Sequence, residues 1–88
     1  MTREVLANAD IEEIELFVPA GHHHLRAVLH LRNGEELVLQ EATVAALTRA
    51  FVTVKTHPIR ERLRLIGRQM EEDENREGFA FWQLLEED

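Results

Sequence analysis

The stretch Leu25-Arg26-Ala27-Val28-Leu29-His30-Leu31-Arg32-Asn33-Gly34-Glu35-Glu36-Leu37-Val38-Leu39-Gln40-Glu41 decides the fold. Leu25, Ala27, Leu29 and Leu31 alternate with His24, Arg26, Val28 and His30, the two-residue period of a strand with one buried face. Asn33-Gly34 marks a turn, and Leu37 and Leu39 mark a second short strand. The length of the turn sets the register. A two-residue Asn33-Gly34 loop would put Leu37 and Leu39 on the face opposite Leu29 and Leu31. A three-residue loop, Arg32-Asn33-Gly34, with Gly34 left-handed in a bulge, keeps all four leucines together. Burying a leucine is worth about 1.5–3 kcal/mol, more than a preference between turns, so the three-residue loop is expected.

Upstream, Ile14, Leu16 and Val18 alternate with Glu13, Glu15 and Phe17, and Pro19-Ala20-Gly21 ends that strand, because proline lacks the ladder donor and glycine permits the turn. If Leu16 faces Ala27, Glu13 falls opposite His30, and Glu36 flanks His30 from the third strand. An imidazole between two carboxylates should hold its proton more tightly than usual.

Downstream, the apolar spacing changes at Gln40 and Glu41. Val44, Leu47, Ala50, Phe51 and Val54 fall on one side of a helix, an arc expected to cover a sheet face, with Arg49 and Thr53 toward water. Glu41 in the first turn and Lys55 near the last suit the helix dipole. Pro58 forces His57 out of helical dihedrals.

Residues 59–70 carry two readings. As a helix, Ile59, Leu63, Ile66 and Met70 cluster; as a strand, Arg60, Arg62 and Arg64 line one face, and Ile59, Leu63 and Leu65 the other. Gly67 in mid-segment and the preceding Pro58 favour the strand, and helix stays as the alternative. Phe79-Ala80-Phe81-Trp82-Gln83-Leu84-Leu85 reads as a last strand, paired across the polar stretch Glu71 to Gly78. One register sets Gly67 against Phe81 and Arg62 against Glu86. The expectation is one α+β domain over residues 1–88, order β-β-β-α-β-β, an antiparallel sheet with one helix packed on one face.

The chain has 88 residues and no cysteine, so neither disulfides nor thiolate metal sites can supplement a small core. No run of about 18 apolar residues and no signal-like N-terminus appears, which points to a cytoplasmic protein away from membranes. The formal net charge of −7 is unevenly spread: residues 57–70 carry +3 and residues 71–88 carry −7. Acids flanking the basic strip weaken its attraction for phosphate. Nucleic-acid binding through Arg60, Arg62, Arg64 and Arg68 is therefore a minor reading.

Three groups could carry chemistry. His22, His24 and His30 would share a side if the second strand extended far enough, and imidazoles two apart can share a metal; no third ligand stands at a matching spacing, and His22 to His24 read equally as a solvated loop. They are weak candidates for a metal-binding or pH-responsive site. Glu12, Glu13, Glu15, Glu35 and Glu36 could supply acid and base, but nothing predicts a desolvated setting, and the chain has no serine, cysteine or tyrosine as nucleophile. Its four glycines form no phosphate loop. No catalytic or cofactor-binding residue is expected. Trp82 and Leu84 fall on one strand face, which with Arg60, Arg62 and Arg64 has the composition of an interface. The competing reading packs Trp82 on the stems of Arg62 and Arg64. The sequence points to a small acidic interaction or regulatory domain, not an enzyme, joined as a homodimer through the outer sheet face, the one that carries Trp82 and Leu84, or through an edge strand, with an unidentified protein partner as the other possibility.

Overall fold

The computed structural model describes residues 4–57, 59, 62–71 and 82–87. A short 3-10 turn, Asn8–Asp10, leads into β1 (Ile11–Phe17), β2 (Arg26–Leu31), β3 (Glu36–Gln40), α1 (Glu41–Thr56), β4 (Arg64–Gln69) and β5 (Trp82–Glu87). The order is β-β-β-α-β-β, an α+β fold. The strands form two antiparallel sheets, β1-β2-β3 and β4-β5, where a single sheet was expected. The chain divides into two compact units, residues 1–44 and 45–88. No helix among the described residues is long and apolar enough to cross a membrane.

In the first unit the three-residue loop is present. Gly34 N–H donates to Leu31 O at 3.0 Å, Leu31 N–H donates to Glu35 O at 2.9 Å, and Gly34 has φ +92°. Asn33 Oδ1 accepts from Glu35 N–H at 2.9 Å and completes the turn. Leu29 therefore pairs with Leu37 and Ala27 with Leu39, the register that keeps the leucines together. On the other side Leu16 pairs with Ala27 and Ile14 with Leu29. Between Ile11 and Glu13 the register shifts, leaving Glu12 as an extra residue. This bulge turns Ile11 onto the side of Leu31, where unbroken alternation would put it among the glutamates. The Pro19 to His22 turn carries Gly21 at φ +80°, with His22 N–H on Pro19 O at 3.0 Å.

Helix α1 follows β3 with no intervening residue. At its far end threonines take up carbonyls: Thr53 Oγ1 donates to Arg49 O and Thr56 Oγ1 to Val52 O, and His57 has left the helix. The apolar arc holds in part: Val44, Ala50 and Val54 are partly shielded, whereas Leu47 and Phe51 are exposed, Thr53 is partly shielded instead of facing water, and the buried residue of the helix is Ala46, 4% exposed.

In the second unit, Arg64 to Gln69 form the strand favoured for residues 59–70, although it starts later than Ile59. β5 covers Trp82–Glu87; Arg60, Phe79 and Phe81 lie outside the described residues. Gly67 pairs with Leu84 and Arg64 with Glu87, three residues out from the expected Gly67–Phe81 and Arg62–Glu86 pairing. A Cβ placed on Gly67 would lie 3.8 Å from Leu84 Cδ2, so leucine, not phenylalanine, covers the glycine.

Candidate functional site

The register of β1-β2-β3 sorts side chains by chemistry. One face holds Ile11, Ile14, Leu16, Ala27, Leu29, Leu31, Leu37 and Leu39, with no charge among its paired positions. The other holds Glu13, Glu15, Phe17, Arg26, Val28, His30, Glu36, Val38 and Gln40. Ala27, at the centre of the apolar face, is only 3% exposed, yet Leu16 is 58% exposed and Ile14 and Leu37 are close to half exposed. An uncharged sheet face with exposed apolar residues on both edge strands, Ile14 and Leu16 on β1 and Leu37 on β3, is unusual in a monomer, where the solvated face normally alternates with polar residues.

On the charged face His30 joins the three strands. Its Nε2 lies 2.6 Å from Glu15 Oε1 on β1 and its Nδ1 3.2 Å from Glu36 Oε1 on β3. Glu36 is the directly paired residue, as expected. On β1 Glu13 is directly opposite, but the contact comes from Glu15, one diagonal step along. The Glu15 hydrogen bond, reinforced by the charges of Glu36, Glu15 and Glu13, raises the His30 pKa above 6.5 against the opposing effect of burial.

A second hook closes the start of β2. Glu41 Oε2 meets His24 Nδ1 at 2.9 Å, and Glu41 Oε1 accepts the Leu25 N–H at 3.1 Å. The His24 bond, then the Leu25 amide, lower the Glu41 pKa below 4.5. The Glu41–His24 contact was not foreseen; only the position of Glu41 in the first helical turn hinted at a role.

The histidines do not form the row imagined for them. β2 begins at Arg26, so His22 and His24 precede the strand; His24 is turned to Glu41 and His30 to Glu15 and Glu36. Among the described residues no group of three or more His, Asp or Glu converges as a metal cage. Around His30 the reason is geometric: its two carboxylates sit on opposite ring nitrogens, so no single point lies within ligand distance of all three.

Glu12, Glu13, Glu15, Glu35 and Glu36 are all exposed, which supplies none of the desolvation that acid–base work draws on. An open groove of about 860 Å³ runs between the Glu4–Leu6 segment and the β2–β3 loop, floored by Leu31 and Leu37. Among the described residues its polar rim has Glu4, Asp10 and Glu35 beside one cation, Arg32. The Arg32 Nε already donates to Ala9 O at 2.9 Å, so the rim disfavours anions.

The expected interaction surface divides. Trp82 and Leu84 share a face of the β4-β5 hairpin with Leu65, Gly67 and Gln69, while Arg64 lies on the reverse with Ile66, Arg68, Leu85 and Glu87. Trp82 pairs with Gln69 at one end and Arg64 with Glu87 at the other, so Trp82 does not lie along the Arg64 stem. The indole is 65% exposed. Arg62 precedes β4 and is exposed, and Arg60 is outside the described residues.

Fold and surface together define a small α+β protein with a chemically two-sided sheet. No protein-family model, curated protein or solved structure matches the chain.

Proposed function

We propose that this protein is a non-enzymatic interaction or regulatory domain of the cytoplasm that works as a homodimer, a second copy resting on the charge-free face of β1-β2-β3. The observation that carries this reading is the division of that sheet: apolar residues open to water on one side, Glu13, Glu15 and Glu36 on the other. A chain of net charge −7 repels its own copies. Face-to-face association keeps the sheet carboxylates Glu13, Glu15 and Glu36 off the contact, on the outward faces. The absence of cysteine suits a reducing compartment.

Covering the exposed parts of Ile14, Leu16 and Leu37 on two copies favours association, and such an association is expected to be reversible and concentration-dependent. Light scattering behind size exclusion, from low to high micromolar protein, should show mass rising toward two chains. Leu16→Glu should hold the protein at one chain without changing its circular dichroism. A wild type of one-chain mass throughout would overturn the reading.

A further inference from the structure

The contact geometry of His30 has a consequence independent of whether the protein dimerises. β2 is the central strand, and β1 and β3 are both edges. His30 projects from β2 with one ring nitrogen toward each edge: Nε2 at 2.6 Å from Glu15 Oε1 and Nδ1 at 3.2 Å from Glu36 Oε1. Both acceptors are carboxylate oxygens and supply no proton. A neutral imidazole has one N–H and can satisfy one of them. An imidazolium has two and satisfies both.

We propose that His30 is a protonation-controlled clasp of the three-stranded sheet, bridging Glu15 on β1 and Glu36 on β3 when charged and letting go of Glu36 when neutral. The choice of which contact is lost follows from the distances. The shorter Glu15 bond keeps the remaining proton on Nε2, which leaves the Nδ1 lone pair facing a Glu36 oxygen, an unfavourable encounter of two acceptors. Glu36, more than half exposed, then turns to water.

The charged groups nearest the His30 ring push one way. β1 contributes Glu13 and Glu15, and β3 contributes Glu36. Along β2 the basic residue on the same face is Arg26, on the far side of Val28, with its guanidinium Nη1 donating to Leu25 O at 3.2 Å. Carboxylates surround the ring, so the charged clasp persists to a higher pH than a free imidazolium does. The imidazole side chain is 28% exposed, so the clasp responds to bulk proton concentration.

Deprotonation loosens β3 and leaves β1 tied. This asymmetry separates a clasp from a general effect of pH on the fold. A designed exception follows as well. Glu36→Gln places an amide that can donate to the neutral Nδ1, so the bridge of the variant persists at high pH.

The test is a proton NMR titration of the histidines, His30 being assigned by His30→Gln, combined with amide exchange of β1 and β3 at pH 5.5 and 8, corrected for intrinsic exchange. His30 should titrate above 6.5. Glu15→Gln should lower that midpoint more than Glu36→Gln does. Protection of β3 should drop roughly twofold between the two pH values, the scale of a solvent-screened pair, while β1 changes less. In Glu36→Gln the drop at β3 should vanish. Both substitutions are isosteric and at exposed positions, so they preserve the fold. Titration of His30 at or below 6.5, equal loss at β1 and β3, or a Glu36→Gln variant that loses protection like the wild type would each overturn the clasp.

Discussion

In the three-stranded sheet a three-residue loop and a one-residue bulge fix which side chains meet, and charge is confined to one face. In the β4-β5 hairpin the two strands stand twelve residues apart in sequence, and each face mixes apolar and polar groups: Trp82, Leu84 and Gln69 on one, Ile66, Leu85, Arg64 and Glu87 on the other. The difference shows two ways to hold a register. A tight loop dictates pairing through backbone dihedrals, whereas a hairpin with distant ends depends on the side chains that happen to fit.

The comparison breaks first at Gly34. Its φ of +92° is costly for a β-branched residue, and a Cβ there would meet nothing within 4 Å, so the penalty is conformational and not a clash. Gly34→Val should lower stability by about 1–2 kcal/mol, read as a shift of the denaturant midpoint; an unchanged midpoint would mean that the loop does not set the register.

Gly67 should behave in the opposite sense. It sits mid-strand without a left-handed φ, and an added Cβ would make ordinary contact with Leu84. Gly67→Ala should therefore stabilise the hairpin by about 0.5 kcal/mol through lower chain entropy in the unfolded state. A loss of stability in thermal melts would show that β4 needs glycine for close approach.

The smallest effect sharpens the picture of the first unit. Glu41 has a lowered pKa in the folded protein, so its contribution is present above its unfolded value near 4.5 and fades as pH falls through the folded one. Glu41→Gln should flatten the acid side of the stability profile, and His30→Gln should flatten the side above pH 6.5, where the raised His30 pKa makes stability decline. Profiles in urea from pH 3 to 9 would read both; a variant profile parallel to the wild type would remove that residue from the account.

Much of this was legible in the sequence for local reasons. The leucine register could be settled because loop length and burial pointed to one answer, and the approach of Glu36 to His30 followed from it. The bulge at Glu12 was missed, although the spacing Ile11-Glu12-Glu13-Ile14 breaks the alternation and carries the signal. With diagonal neighbours unweighed, Glu13, which does pair with His30, seemed nearer to the ring than Glu15. The β4-β5 pairing slipped by three residues because the sequence supplies no short turn there, and Arg62 opposite Glu86 satisfied the same charge logic as the actual Arg64 opposite Glu87. The helix was placed correctly; of its expected arc Val44, Ala50 and Val54 are shielded, but Leu47 and Phe51 are exposed and the small Ala46 is the buried residue, which periodicity of large apolar residues cannot reveal.

The Glu41 carboxylate reaches back 17 residues to the His24 ring and 16 to the Leu25 amide. The β2–β3 hairpin is thus a loop of chain with a latch across its open end, opposite the Gly34 turn. A pull that opens the hairpin at its mouth therefore reaches the His24 and Leu25 bonds to Glu41 before the ladder from Arg26–Gln40 onward. A single acidic side chain at the first position of a helix thus closes the strand pair behind it.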